Sequence, residues 1–228
     1  VLFEIGGDGC WAAVTPGVPQ PADAQALAGP ALPGLVNAHS HAFQRAFAGL
    51  AERRDSEHDD FWSWRDRMYQ VALRITPAQL RSVATQLYIE LLRGGYTEVC
   101  EFHYLHHAPD GQPYADRGAM AWALADAARE AGIGLTLLPV LYERAGFALP
   151  ALREDQRRFA TDADAVLGLQ RAAQARGLRC GVAIHSLRAA RPQSIARVCE
   201  GAGEAPIHIH VAEQTAEVDD CLKTTGAR

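Results

Sequence analysis

Leu32-Pro33-Gly34-Leu35-Val36-Asn37-Ala38-His39-Ser40-His41 is the stretch whose reading decides the fold. Its apolar run reads as a buried strand. Alternate residues of a strand face the same side, so His39 and His41 project together from the C-terminal end. Two imidazoles side by side in that position can hold a divalent metal, zinc most readily; they can equally be hydrogen-bonded structural residues. Two ligands do not make a site, so a third has to come from elsewhere in the chain.

Outward from that stretch, strand and helix alternate. Strand-like runs lie at 34–41, 97–105, 134–142, 178–187 and 205–212. Helical runs fall between them at 77–93 (opened by Thr76-Pro77), 117–131, 162–176 and 192–202, and a further helix precedes Gly226. Repeated βα units require parallel strands with helical crossovers, which makes the chain α/β. Five such units suit the first five strands of a (β/α)8 TIM barrel, with a doubly wound sheet as the structural alternative. Residues 1–32 read as a partial small β domain and linker, and 33–228 as the first part of the barrel. The first 32 residues hold strand-like pieces at 1–5 and around Trp11, a Gly6-Gly7-Asp8-Gly9 turn, and a link with Pro16, Pro19, Pro21 and Pro30. The segment 42–76 is long for a first βα connection and is expected to wall the active site.

Composition narrows the function classes. The 228 residues are 48% hydrophobic with a formal net charge of −5. Nothing in that balance calls for a nucleic-acid or anionic-membrane partner. No apolar run approaches the roughly 18 residues needed to cross a bilayer, and no signal peptide opens the chain. Cys10, Cys100, Cys180, Cys199 and Cys221 are odd in number and lack paired spacing, so they read as reduced thiols of a cytoplasmic protein. The start at Val1 and the stop just after a helix lead us to expect a piece of a longer protein.

In a (β/α)8 barrel chemistry sits at the C-terminal ends of the strands and in the loops after them. Eight of the nine histidines fall there: His39, His41, His103, His106, His107, His185, His208 and His210. The ninth, His58, sits among Asp55, Glu57, Asp59 and Asp60 and reads as solvated. A second His-x-His pair, His208 and His210, ends the fifth strand and supplies the missing ligand. His208, one strand step deeper than His210, reads as a core residue, and His103 and His106 as structural or loop residues. Glu213 follows His210 by three residues, near enough to reach a water at a metal; its alternative is a solvated carboxylate at a helix start. Tyr104 has the strand parity of an inward-facing side chain. Phe61-Trp62-Ser63-Trp64-Arg65 reads as core packing that could hold Arg65 as an anion-binding group. Arg188 is either a second such group or a surface arginine.

These residues resemble a known family. The run from Pro33 to His41 is similar to the first-strand metal motif of the amidohydrolase superfamily. Five further stretches resemble, more narrowly, the formiminoglutamate deiminases of bacterial histidine degradation. They are Ala42-Phe43-Gln44-Arg45-Ala46-Phe47-Ala48-Gly49-Leu50 with Phe61-Trp62-Ser63-Trp64-Arg65, Glu101-Phe102-His103-Tyr104-Leu105-His106-His107, His185-Ser186-Leu187-Arg188, and His208-Ile209-His210-Val211-Ala212-Glu213-Gln214. The resemblance implies His39, His41 and His210 as zinc ligands and Glu213 as the proton-shuttling acid/base. It implies Gln44, Arg65, Tyr104, His185 and Arg188 as substrate-binding positions. A further aspartate ligand and a further catalytic histidine would follow residue 228.

Some members of the superfamily bridge two metals with a carboxylated strand lysine. The only lysine here is Lys223, so a single zinc ion is expected. The implied partner is a small molecule with two carboxylates, with neither nucleic acid nor membrane, and a homodimer is an open expectation for a barrel of this kind. Two alternatives stand beside this reading. One is another mononuclear amidohydrolase, such as a nucleobase deaminase. The other is an inactive fragment with an incomplete metal site.

Overall fold

The computed structural model of the protein describes residues 1–7, 9–50 and 61–227. The acidic stretch around His58 lies outside the described residues. Backbone contacts divide the chain into two compact units, Val1–Pro33 and Gly34–Arg228. In the first, β1 (Leu2–Ile5) pairs antiparallel with β2 (Trp11–Thr15), and the Phe3 and Trp11 rings meet at 4.8 Å.

The second unit carries β3 (Leu35–Ser40), β4 (Tyr96–His103), β5 (Gly134–Leu141), β6 (Arg179–Cys180), β7 (Val182–Ile184) and β8 (Ile207–Ile209). All pair in parallel, in the order β3-β4-β5-β7-β8, with β6 a short extension on β5. Strand order equals chain order, so no point exists where the order reverses, as a doubly wound sheet requires. The sheet is the first part of a (β/α)8 barrel. The run expected at 178–187 is split at Gly181. A Cβ there would lie 2.3 Å from the Pro206 carbonyl oxygen, so the close approach of the next strand requires glycine.

The helices are α1 (Phe61–Ala72), α2 (Pro77–Arg93), α3 (Ala119–Ala131), α4 (Ala163–Ala175), α5 (Pro192–Gly201) and α6 (Thr215–Thr225). Thr76 caps α2 as its sequence suggests. Its hydroxyl accepts the Gln79 N–H, while the Gln79 side chain accepts the Thr76 N–H at 3.0 Å. The long connection after β3 holds a 3-10 turn, Ala42–Phe47, and α1, an element that aromatic composition alone did not announce as a helix.

The expectation that the first strand is buried needs correction. Leu35 and Val36 are 54% and 57% exposed, and among the described residues β3 pairs with β4 alone. The core is instead centred on β4 and β5 with α2 and α3, where Val99, Phe102, Leu137, Leu138, Tyr88 and Leu124 are sealed from solvent.

Two buried charged side chains tie elements together. Arg158, fully buried, donates to the carbonyls of Ala72, Ile75 (2.9 Å) and His107 (2.7 Å), joining the end of α1 to the loop after β4. Glu101, on the helix side of β4, accepts the Ala42 N–H at 2.6 Å, the Tyr88 hydroxyl at 3.2 Å and the Ser40 hydroxyl. It therefore holds the residues on both sides of His41, Ala42 by its backbone and Ser40 by its side chain.

Burial pushes the Glu101 carboxyl up to about 7, against which the three donors act only partly. Between the ordinary carboxylate range and pH 7 the folded state keeps a proton that the unfolded state releases, so stability falls as pH rises through that window. The expected slope from this one group is up to about 1.4 kcal/mol per pH unit. Glu101→Gln should flatten it, as measured by urea melts of the two proteins between pH 5 and 7. Parallel curves for the two would refute the assignment.

Candidate metal centre and substrate cavity

The ends of β3 and β8 deliver three imidazoles to one point. His39 Nε2 lies 3.0 Å from His41 Nε2 and 3.2 Å from His210 Nε2. Two nitrogens on one tetrahedral zinc ion are separated by about 3.3 Å, given Zn–N bonds near 2.0–2.1 Å. One ligand atom from each of the three residues falls within a common span of 4.8 Å, a spacing that can hold a metal ion.

The rings are oriented from outside the cluster. His41 Nδ1 bonds the Phe102 carbonyl at 3.0 Å, which leaves Nε2 with the free lone pair facing its neighbours. His210 stacks on the Phe102 ring at 4.3 Å, and its backbone N–H donates to the His185 carbonyl at 3.3 Å. Burial, with the neighbouring His210, lowers His41 to about 3; burial, with His39, lowers His210 to about 4. Neutral imidazole is the form that binds a metal.

The three histidines open into a cavity of about 450 Å³, of a size for a small molecule. Its lining brings together every site residue expected from sequence: His39, His41, Gln44, Arg65, Tyr104, His185, Arg188, His210 and Glu213. Gln44 Nε2 donates to the Tyr104 hydroxyl at 3.1 Å, which in turn points at Met68 Sδ, 3.5 Å away. His185, after β7, packs on Tyr142 with ring centroids 4.2 Å apart, and burial pushes its imidazole well below the ordinary value. Arg188 has no carboxylate within ion-pair distance among the described residues. Its loop is held by Arg144, which donates to the carbonyls of Arg188 (3.1 Å) and Leu187 (3.0 Å).

Other polar residues at strand ends serve the fold. Glu143 accepts the Arg191 N–H (2.8 Å) and the Ser194 hydroxyl (2.7 Å), which caps α5. His103 and His106 are buried against each other, 4.9 Å between centroids, and lie outside the cavity. His208 is half-exposed in place of the core position expected of it. The cavity also uses Trp64, Met68, Tyr69, Tyr142 and Phe159. Sequence reading placed Tyr142 at a strand end without giving it a role and did not assign the others to the site, since Trp64, Met68 and Tyr69 lie at helical spacing that looks like core and Phe159 lies on a 3-10 turn.

Comparison with known proteins agrees with this geometry. Residues 31–228 match the amidohydrolase family. The chain is 48% identical, over its whole length, to formimidoylglutamate deiminase of Pseudomonas aeruginosa, and 30% identical over 86% of its length to 5-methylthioadenosine/S-adenosylhomocysteine deaminase of Natronomonas pharaonis. It spans 51% and 41% of those two relatives, so it covers about half the length of the curated proteins it matches. A crystal structure of an amidohydrolase from Brucella melitensis superposes with a TM-score of 0.86 at 45% identity, covering 99% of this chain and 51% of that one. A zinc-bound adenosine deaminase from Xanthomonas campestris superposes at 0.62 over 86% of this chain and 40% of that one, and at 24% identity shares the fold alone. The chain belongs to the amidohydrolase family.

Proposed function

We propose that the protein carrying this chain is a zinc-dependent hydrolase that converts N-formimino-L-glutamate and water to N-formyl-L-glutamate and ammonia. The observation that carries this reading is a single cavity in which three converging imidazoles and the Glu213 carboxylate share a wall with the guanidiniums of Arg65 and Arg188. The near relative at 48% identity, named for this substrate, supports it.

The donor set fits zinc: three neutral imidazoles, with His39 at tetrahedral spacing from both of the others and one ring fixed by a carbonyl behind it. When bound by His39, His41 and His210, zinc would lower the pKa of a water toward about 7. One ion is the expected number, because Lys223, the lone lysine, lies on α6 beside Asp220, away from the cavity. The unbridged thiols of Cys100, Cys180, Cys199 and Cys221 fit a cytoplasmic setting, and among the described residues no helix is long and apolar enough to cross a membrane.

In this reading Glu213 takes a proton from the attacking water, the oxygen bonds to the formimino carbon, and a tetrahedral carbon results. Glu213 then delivers that proton to the departing nitrogen and passes it the remaining hydroxyl proton in turn, so the C–N bond breaks as the C=O bond forms and ammonia leaves. Arg65 and Arg188 bind the two carboxylates of the glutamate moiety, a task for which the planar guanidinium fork is suited. Tyr104, held by Gln44, and His185 position the substrate between them. A purine ring carries no carboxylate to answer Arg188, which sets the nucleoside-type alternative behind this one.

Glu213→Gln in the full-length protein should lower kcat by about 10²–10⁴ while zinc content, read by mass spectrometry, stays at wild type. Retention of more than a tenth of the wild-type kcat would remove Glu213 from this role. His41→Ala should instead lose the zinc, and activity with it. Arg188→Met should raise KM for formiminoglutamate at least about tenfold and leave a neutral formamidine within threefold. Equal effects on both substrates would sink the carboxylate assignment. Turnover of adenosine-type substrates in place of formiminoglutamate would favour the nucleoside reading.

A further inference from the structure

Behind the arginine side of the cavity lies a hydrogen-bonded layer to which the scheme above gives no role. Gln156, 1% exposed on the 3-10 turn Glu154–Phe159, donates from Nε2 to the phenolic oxygens of Tyr142 at 3.0 Å and Tyr69 at 3.3 Å. The orientation of this amide is fixed independently, since its Oε1 accepts the Arg153 backbone N–H at 3.1 Å. A flipped amide would set its NH2 against that N–H and its oxygen between two phenols.

The polarity of the network follows. An amide nitrogen carries donors only, so both phenol oxygens act as acceptors and each phenol keeps its own hydrogen to give elsewhere. Among the described residues no acceptor takes either hydrogen. Both rings line the cavity. Burial, with the neighbouring Tyr69, raises the Tyr142 phenol well above its ordinary value, so its hydrogen stays on at neutral pH. The Arg65 guanidinium lies 5.7 Å from the centroid of the Tyr69 ring.

We infer that Gln156 is a positioning residue that sets Tyr69 and Tyr142 as a paired hydroxyl donor to one carboxylate of the substrate. The inference rests on reading the cavity as a dicarboxylate site. A carboxylate is acceptor-only, with about four lone-pair directions; a guanidinium fork takes two of them and leaves the rest for hydroxyl donors. A carboxamide in the same place would turn its NH2 toward donors, so the arrangement selects a glutamate-type acid over its amide. Gln156 touches no substrate atom. It acts by keeping both phenol hydrogens available.

The test uses the full-length, zinc-loaded protein and N-acetyl-L-glutamate, a dicarboxylate without the reacting group, in isothermal titration calorimetry. Tyr69→Phe/Tyr142→Phe should weaken its binding at least about tenfold, as loss of hydrogen bonds to a charged acceptor does. Gln156→Glu, nearly isosteric, should do the same with both tyrosines in place. Its carboxylate accepts the phenol hydrogens and turns them away from the cavity. Zinc content and melting temperature should stay at wild type, whereas a Gln156 that merely props the fold would lower them together with binding.

Binding within twofold of wild type in either variant, a wild-type protein that does not bind N-acetyl-L-glutamate, or a parallel loss of zinc overturns the inference. Should Gln156→Glu fail to fold, the double phenylalanine variant decides. A wild-type protein that binds N-acetyl-L-glutamate but leaves formiminoglutamate intact defeats the proposed reaction and leaves this inference standing. One that turns over formiminoglutamate while the variants bind normally does the reverse.

Discussion

The contact between His39 and His210 constrains everything else in the second unit. β3 and β8 are four strand spacings apart in the order of the sheet, which in a flat sheet would be about 19 Å. Their imidazole nitrogens are 3.2 Å apart. Only a sheet rolled toward closure brings those strand ends together, and parallel strands with right-handed crossovers roll that way when all the helices pack on one face. Burial adds the chemistry. Three imidazoles crowded at the end of a curled sheet are driven to the neutral state, and neutral imidazoles have lone pairs for a cation. The curl of the sheet and the chemistry of the site are therefore one property.

Partner type separates the structural cations of this chain from the functional ones. Arg158 is fully buried and its guanidinium is answered by three backbone carbonyls, so it closes a gap between α1 and the loop after β4. Arg188 faces the cavity without a carboxylate partner among the described residues, while Arg144 holds its loop through the carbonyls of Leu187 and Arg188. A charge left available for an outside acid is one that the fold has anchored through its backbone. An arginine-rich, lysine-poor composition suits both uses, because guanidinium keeps its charge on burial and binds planar acceptors in a fixed geometry.

The same distinction explains what could be read from the sequence. The alternation of β and α runs is visible because parallel barrel strands are apolar runs bounded by helices of clear period, and the observed elements fall within a few residues of that pattern. His39, His41 and His210 are legible because period-2 spacing at strand ends is itself the geometry that gathers them. The phenols were not legible in the same way. Tyr69 sits in a helix whose aromatic run looks like core, and its partner Gln156 is 87 residues away on a 3-10 turn. Nothing local announces that the two meet.

The backbone between the last ligand and the candidate base carries a constraint of its own. Ala212 holds a φ of 54°, and no other non-glycine residue among those described is left-handed. For a residue with a Cβ that conformation costs about 1–2 kcal/mol, and elsewhere in this chain it is left to glycine. It falls between His210, whose ring belongs to the metal cluster, and Glu213, whose side chain lines the same cavity. An extended continuation of β8 would carry the chain on past the strand end, toward the mouth of the barrel. The left-handed residue turns it at once, and Glu213 returns to the cavity that His210 faces, ahead of the start of α6 at Thr215. Strain tolerated at that one joint is what lets a ligand and a carboxylate three residues apart address the same small volume.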